Sequence, residues 1–269
     1  DFYPAVAGSN DADIHFSFAT TKALLALETV LLRLPPAFDN DAAAAASTDL
    51  IIGGPDAASF SAVYLKSEGS IRITALTDIM VRKQEIVFDK LNKIKVPKTG
   101  VTRNDESFTL SINSANMGTI VEQPVRHTMG VGSFVDSQVT FATPVAGSAT
   151  DIIVSFRYSS VINTGEIVTI VLADFTADKE FINVLATSGS HGSKFTSSWK
   201  SDTHELRLVV NPGAQIAADE LVVVRVLSTN NVRLPQDGVA LGDPSILASC
   251  NAGSGAVVTP VTVENTTAG

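Results

Sequence analysis

Histidine, serine and acidic residues are the side chains of this chain that could carry out chemistry. The 269 residues include four histidines, and none has a neighbour at the spacing of a zinc site: His15, His127, His191 and His204. A Ser-His-Asp set can be composed on paper from so serine-rich a chain, but no Gly-x-Ser-x-Gly elbow selects one. We therefore predict that the protein is not an enzyme and has no catalytic residue, metal site or cofactor.

Two further patterns could form binding sites. Residues 189–194, Gly-Ser-His-Gly-Ser-Lys, resemble a phosphate loop but lack the Gly-Lys-Ser/Thr ending and precede a predicted strand, so we interpret them as a polar hairpin loop. Three acidic pairs could hold calcium between domains, although no EF-hand pattern is present and solvated turns explain them as well. These pairs are Asp11/Asp13, Asp39/Asp41 and Asp219/Glu220.

Cys250 is the single cysteine, so no intramolecular disulfide can form. It ends an alternating apolar run, and we interpret it as a small buried hydrophobe rather than a reactive thiol. The count fits a reducing compartment slightly better than a secreted protein. Asn265-Thr266-Thr267 matches the N-glycosylation sequon, which matters only if the protein is secreted.

The composition limits the classes of partner. A net charge of −9 argues against nucleic acid, because phosphate binding needs a basic surface. Charged residues make up only 17% of the chain, which favours contact with other proteins or with copies of itself. The sequence has no run of 18 apolar residues, so it predicts no membrane-spanning helix. The chain begins at Asp1 without methionine or a signal segment, so we expect that a leader has been removed or left out.

The chain repeats one framework. Residues 13–18 return 138 positions later as residues 151–156, and residues 28–34 return as residues 166–172. Apolar spacing, turn residues and one aromatic position recur, whereas no set of catalytic residue types does. Such a repeat is typical of a structural building block.

Short alternating runs bounded by turn residues predict strands in both halves. We predict an all-β protein of two tandem, pseudo-symmetric antiparallel β-sandwich domains of the immunoglobulin-like kind, produced by internal duplication. The predicted organisation is a first sandwich at residues 1–125, a linker at 126–137, a second sandwich at 138–256 and a C-terminal tail at 257–269.

One segment conflicts with this prediction. Residues 22–34 are rich in helix formers, yet they align without gaps to a β-branched segment of the second repeat. We therefore predict a strand at residues 29–34. Residues 42–46 are predicted to be helical, within an insert between strands.

Two features predict contacts between copies. Residues 82–98 contain six basic and two acidic residues, whereas the corresponding residues 217–236 contain two of each. This stretch is either a solvated face or an edge that meets acidic residues of a neighbour. The apolar tail is either disordered or paired with a sheet edge of another copy, and residues 120–125 are its counterpart in the first repeat. The candidate interface residues are Arg82, Lys83, Lys90, Lys93, Lys95, Lys98, Val257, Val258, Val261 and Val263.

The repeated motifs are Ser-Phe, Glu-x-Val-x-Ile/Leu-x-Leu, Phe-x-x-x-Tyr/Trp, Ile/Leu-Arg-Ile/Leu and Lys/Arg-x-Pro-x-x-Gly-Val. Their pairing across nearly the whole chain resembles the paired conserved regions of the pyrenoid shell proteins of diatoms and related algae. This resemblance implies a lattice around the Rubisco-filled pyrenoid, no catalysis and a cleaved plastid-targeting leader. It also implies a location in the chloroplast stroma at the pyrenoid periphery, with contact to Rubisco or other pyrenoid components.

The sequence therefore predicts a structural protein that assembles with itself into a sheet or tube, as a compartment wall that supports CO2 fixation. The alternative is an extracellular matrix or adhesion module of an algal surface protein. More repeats and a secretory signal in the full-length gene would favour this alternative.

Overall fold

The computed structural model describes residues 1–3, 5–40 and 46–269, and it is all-β. The chain divides into two compact units, Asp1–Val131 and Gly132–Gly269. The described residues also form short 3-10 helices at Ala57–Ser59, Lys66–Glu68, Lys90–Asn92, Gly192–Lys194 and Ser228–Asn230. The predicted all-β class is confirmed. The predicted helix at residues 42–46 lies outside the described residues, apart from Ala46, which is a bend.

The first unit contains twelve strands among its described residues. They are β1 (Phe2–Tyr3), β2 (Asp13–Ala19), β3 (Thr29–Arg33), β4 (Asp39–Asn40), β5 (Ser47–Leu50), β6 (Ile52–Gly53), β7 (Phe60–Leu65), β8 (Ser70–Ala75), β9 (Lys83–Phe88), β10 (Ile94–Lys95), β11 (Thr109–Ser114) and β12 (Gly118–Pro124). A six-stranded antiparallel sheet has the order β12-β11-β3-β8-β7-β5, and a four-stranded sheet has the order β1-β2-β9-β6. Strands β10 and β4 form a separate pair.

The second unit contains the remaining strands. They are β13 (Phe134–Phe141), β14 (Ile152–Tyr158), β15 (Ile167–Val171), β16 (Thr176–Ala177), β17 (Phe181–Ile182), β18 (Thr187–Ser188), β19 (Phe195–Lys200), β20 (Glu205–Val210), β21 (Val222–Val226), β22 (Val232–Arg233), β23 (Leu247–Cys250), β24 (Val257–Thr262) and β25 (Asn265–Thr266). Its two larger sheets have the orders β24-β23-β15-β20-β19-β17 and β18-β21-β14-β13-β25, and β16 pairs with β22.

Alternation along the strands builds a core inside each unit. In β2 the side chains of Phe16 and Phe18 are buried while His15 and Ser17 are exposed. Phe18 lies against Phe60 of β7, with ring centroids 6.0 Å apart, so the two sheets of the first unit pack face to face. Burial of alternate residues is what a sandwich requires of strands that face water on one side.

The large sheets of the two units have the same strand order and equivalent registers. Val30 of β3 is opposite Ile73 of β8, and Val168 of β15 is opposite Leu208 of β20. The recurring aromatic position is buried in both units, as Tyr64 in β7 and Trp199 in β19.

Residues 29–33 form a strand, as predicted, although the segment before them is rich in helix formers. Val30 and Leu32 are buried on one face of β3, between β11 and β8. Burial of alternate side chains in a sandwich core outweighs helix propensities, which differ by only tenths of a kcal/mol per residue.

Two predicted boundaries differ from the structure. The first unit extends to Val131, which bridges to Val101, and β13 begins at Phe134, within the predicted linker. The predicted tail at residues 257–269 belongs to the second unit, because β24 pairs with β23 and β25 pairs in parallel with β13. The reason is that Val257 and Val263 fill the core of their own unit.

Candidate functional site

The candidate interface residues of the basic stretch are largely engaged inside the first unit. Three of them form ion pairs there: Arg82 with Asp56 at 2.5 Å, Lys83 with Glu85 at 2.6 Å, and Lys93 with Asp11 at 2.8 Å. Their carboxylate partners reduce the positive charge that this stretch presents to a neighbouring molecule.

The other three basic residues lie in different surroundings. Lys90 begins a 3-10 helix, and its backbone N–H donates to Asp13 Oδ1 at 2.7 Å. Lys95 lies in β10, where its backbone is opposite Asp39 of β4. Lys98 lies beside Gly8. The six residues thus lie in or next to β9, a 3-10 helix and β10, so they do not share one face of a single element.

Arg82 contributes to a loop anchor. Its partner Asp56 is only 5% exposed, and Asp56 Oδ2 also accepts the backbone N–H of Glu85 at 2.7 Å. The pKa of Asp56 is held below its ordinary value, chiefly by the Glu85 N–H and then by Arg82, against the opposing effect of burial. The carboxylate therefore fastens the loop before β7 to the edge of β9.

The four candidate valines of the terminal segment do not form one surface. Val257 and Val263 are 4% and 2% exposed in the core, Val261 packs partly against it, and Val258 is 74% exposed. Pro260 lies in the same edge strand and has no N–H to offer to another strand. The β24 edge therefore resembles the protected edges that discourage pairing between molecules.

The counterpart segment in the first unit is more open. Strand β12 forms the edge of the large sheet, most of its residues are exposed, and Val121 is 69% exposed. An open groove of about 640 Å³ runs beside it, lined in part by Leu31, Arg72 and Ile120. Of the two terminal segments suggested by the sequence, β12 has the better exposed apolar edge.

The loop at residues 189–194 is not a hairpin loop as predicted, because it joins β18 and β19, which lie in different sheets. It holds a charged cluster that the sequence did not reveal. Glu220 Oε1 lies 2.8 Å from His191 Nε2 and 2.7 Å from Lys194 Nζ. These groups lower the pKa of Glu220 to about 2, with Lys194 the largest cause, followed by the backbone N–H of Ala217 and by His191. His191 Nδ1 lies 2.8 Å from Ser190 Oγ, so Ser190, His191 and Glu220 are joined in a chain of contacts.

The corresponding residues of the first unit indicate the structural role of this cluster. His191 Nδ1 accepts the backbone N–H of Val223 at 3.3 Å, as Asp56 accepts that of Glu85, and Glu220 stands where Arg82 does. The backbone acceptor is therefore a histidine ring in place of a carboxylate, and the neighbouring group is a carboxylate in place of a guanidinium.

The shared anchor also fixes the tautomer of His191. Because Nδ1 accepts a backbone N–H, we assign the proton of the neutral ring to Nε2, toward Glu220. The Val223 N–H, at 3.3 Å, shares Nδ1 with the Ser190 hydroxyl, whose oxygen is 2.8 Å away. Gly189, at φ +96°, keeps the loop close to β21, since a Cβ there would lie 2.8 Å from the Val223 carbonyl oxygen.

Glutamates at matching positions each bridge two loops. Glu28 accepts the N–H groups of Leu25 at 2.7 Å and Ala115 at 2.6 Å, and Glu166 accepts those of Asn163 and Gly253 at 2.7 Å each. Glu28 and Glu166 are 138 residues apart, which is the spacing of the repeated motifs, and they have the same hydrogen-bonding role in the loops.

Asparagine and aspartate anchors recur in the same way. The amide of Asn92 exchanges two hydrogen bonds with the backbone of Ile51, both at 2.7 Å, and Asn230 does so with Ala186 at 2.8 and 2.9 Å. Asp105 and Asp243 each accept from the serine two positions later, and Asp13 and Asp151 each accept a backbone N–H from a 3-10 helix. The sequence aligned Asp13 with Asp151 but did not reveal the partners of these residues.

Three of the acidic residues suggested for calcium form local contacts. Asp11 and Asp13 bond to Lys93 and to the Lys90 N–H, and Glu220 belongs to the His191 cluster. Asp41 lies outside the described residues. Within the described ranges, no group of three or more His, Cys, Asp or Glu residues is arranged to hold a metal ion.

Cys250 is buried, as predicted, and burial raises the pKa of its thiol to about 11. It lies in β23, opposite Val168 of β15. Across the part of the chain that the structure covers, no helix has the length and apolar character needed to cross a membrane.

Comparison with known proteins gives no family for the chain. No protein-family model matches it, and no curated protein does. Among solved structures, a serine-rich repeat protein of Streptococcus agalactiae is 12% identical, with 90% of this chain and 80% of that chain covered and a TM-score of 0.22. A putative membrane-anchored protein of Corynebacterium diphtheriae is also 12% identical, with 96% and 87% covered and a TM-score of 0.28. TM-scores this low do not establish a shared fold.

Proposed function

We propose that this chain is a non-catalytic structural module of an extracellular surface or matrix protein, built from two copies of one immunoglobulin-like sandwich. One observation carries the proposal: the polar residues shared by the two units are turn anchors. Glu28 and Glu166, Asn92 and Asn230, and Asp105 and Asp243 all bond to loop groups next to the strands. What the two units have in common is thus a way to hold loops on a sandwich.

The duplication is supported by the registers as well as by the sequence. Equivalent hydrogen bonds recur at a spacing of 138 residues, which is the spacing of the repeated motifs. Tandem sandwiches of this kind are common in cell-surface proteins. An extracellular setting is also supported by the exposure of Asn265, the acceptor of the glycosylation sequon.

A second candidate is the self-assembling pyrenoid shell, with the chain itself, and Rubisco or other pyrenoid components, as partners in the chloroplast. The paired motifs favour it, and so does the exposed apolar edge of β12, which is suited to contact between copies. In this version the lattice would contain head-to-tail contacts between unlike units.

Sedimentation over a concentration series, with electron microscopy of the same samples, tests the leading proposal. We expect a monomer without ordered assemblies at high micromolar concentration, across a range of salt and pH. Sheets or tubes would contradict the surface module and favour the shell. Val121→Lys is the matched variant, because a charge on the exposed β12 edge should abolish such assemblies and leave a monomer unchanged.

The natural gene supplies an independent test. Further copies at intervals of about 138 residues, together with a secretory signal, are expected for the surface module. A gene with two copies and a bipartite plastid leader would instead favour the shell.

A further inference from the structure

The two units share a turn that is hydrogen-bonded to a threonine. In the second unit, Thr266 of β25 accepts the N–H of Asp243 at Oγ1, at 2.7 Å, and the N–H of the preceding residue at its carbonyl oxygen, at 3.2 Å. In the first unit, Thr128 accepts the N–H of Asp105 and that of the preceding residue in the same way, at 2.9 and 3.1 Å. Both threonines and both aspartates are 138 positions apart, so this turn belongs to the common framework.

The residues on either side of the shared threonine differ between the units. They are Asn265 and Thr267 in the second unit, and His127 and Met129 in the first. Asn265 and Thr267 complete the motif Asn-x-Ser/Thr, which accepts N-linked glycans and occurs at no other position of the sequence. The motif is therefore made by two residues that the common framework does not require.

The structure directs the acceptor amide away from the core. Asn265 is exposed and Thr266 is 2% exposed, so alternation along β25 points the Asn265 side chain to solvent. At this position the amide can carry a bulky group without displacing any core residue.

Thr267 has a hydroxyl that the fold does not use. Its oxygen is buried and has no hydrogen-bond partner among the described residues. A buried hydroxyl without a partner destabilises a fold, and valine has the same shape without the hydroxyl. The acceptor motif, by contrast, requires a hydroxyl at this position. Because the oxygen is buried, a transferase can reach it only before β25 pairs with β13.

The neighbouring turn offers a surface that a glycan can cover. Leu241 precedes the turn and is 80% exposed, and the next N–H, that of Gly242, donates to the Thr266 carbonyl oxygen beside Asn265. The corresponding residue of the first unit, which lacks the motif, is Arg103. An exposed aliphatic side chain thus accompanies the acceptor motif, and an arginine stands in its place where the motif is missing.

We propose that Asn265 carries an N-linked glycan whose first sugars cover Leu241. The donor is an isoprenoid diphosphate-linked oligosaccharide. A bond forms between Asn265 Nδ2 and C1 of the first sugar, the bond from C1 to the diphosphate oxygen breaks, and the amide releases one proton as the diphosphate leaves. The inference rests on the proposed extracellular setting, because such transfer takes place on secreted chains.

Expression of the full chain in a eukaryotic host, with an added secretory signal, tests the acceptor. We expect peptide N-glycosidase to lower the mass of most of the protein, with Asn265 converted to Asp, and Thr267→Val to abolish the glycan. Thr266→Val is the matched control, because it keeps the motif and removes the hydroxyl that the fold uses, so its glycan should remain. The glycan is measured in total protein from cells and medium, so that a variant that fails to fold is still counted.

A wild-type chain without a glycan, or a glycan retained in Thr267→Val, would overturn the proposal. Because the signal is supplied, an unmodified Asn265 would count against this site and not against the surface module. A plastid leader in the natural gene would instead count against the extracellular setting.

Thermal unfolding of the same variants, made in a host without N-glycosylation, tests the role of the two hydroxyls. We expect Thr267→Val to melt at or above the temperature of the wild-type chain, and Thr266→Val to melt below it, because the Asp243 N–H loses its acceptor. A lower melting temperature for Thr267→Val would mean that the fold needs this hydroxyl, which would contradict its assignment to the motif.

Retention on a hydrophobic column tests the covering of Leu241. Removal of the glycan should lengthen the retention of the wild-type chain more than that of Leu241→Arg, which carries the residue of the first unit. An equal change in both proteins would overturn the contact between the glycan and Leu241.

Discussion

At the scale of single residues, two equivalent loop positions each supply a hydrogen-bond acceptor to a backbone N–H. The acceptor is charged at one position and belongs to an imidazole ring at the other. Asp56 supplies a carboxylate oxygen to the N–H of Glu85, and His191 supplies Nδ1 to the N–H of Val223. A buried N–H without a partner costs about 1–3 kcal/mol, so the acceptor is retained while the neighbouring charge varies. This is why His191 anchors the loop while it contacts both Ser190 and Glu220.

The lowered pKa of Glu220 predicts an acid-sensitive contribution to the second unit. Its ordinary value is 4.5 and its folded value is about 2, so ionised Glu220 stabilises the unit above pH 4.5 and loses this effect as the pH falls through 2. We expect Glu220→Gln to remove on the order of 2 kcal/mol of the change in unfolding free energy between about pH 5 and about pH 2.

Urea unfolding at several pH values measures this contribution. Glu180→Gln removes an exposed carboxylate from the same unit and is the control. It should leave the pH dependence of the wild-type chain in place. If both variants have the wild-type pH dependence, the ionic contacts of Glu220 do not stabilise the fold.

At the scale of elements, the terminal segment at residues 257–269 belongs to the second unit. Strand β24 completes the large sheet of the second unit, and β25 pairs with β13 of the other sheet. Truncation after Gly255 would therefore remove two strands of the fold. A loss of assembly in that variant would follow from a loss of structure.

Adjacent valines in β24 provide a sharper comparison. Val257 is 4% exposed and Val258 is 74% exposed, so the two side chains point to opposite faces. We expect Val257→Ala to destabilise the second unit by roughly 1–3 kcal/mol and Val258→Ala to change its stability by less than about 0.5 kcal/mol. Equal effects in denaturant unfolding would mean that β24 is not packed on its own unit.

At the scale of the whole molecule, each unit has the components of an independent domain. The core of the first unit is formed entirely by residues up to Val131, and that of the second begins at Phe134. Both units have lengths within the usual range for single domains.

Separate chains of residues 1–131 and 132–269 test this independence. We expect each to unfold cooperatively and to retain the amide exchange protection of its β-strands in the full chain, because neither core needs residues of the other. Thermal unfolding by circular dichroism and amide exchange measure the two properties. A fragment that stays unfolded on its own, in conditions where the full chain folds, would contradict two self-sufficient domains.

The sequence by itself determined the features that depend on residues close together along the chain. The alternation of apolar and polar residues predicts the strands, because it gives each strand one face to bury. The match of residues 28–34 to residues 166–172 predicts β3, although helix formers precede it. The burial of Cys250 follows from its alternating run. Only the tertiary structure decided the pairing of Lys93 with Asp11, the contact of Glu220 with His191, and the parallel pairing of β25 with β13. These contacts join residues far apart in sequence, and equally apolar or charged segments offer many such pairings until the packed sheets select one.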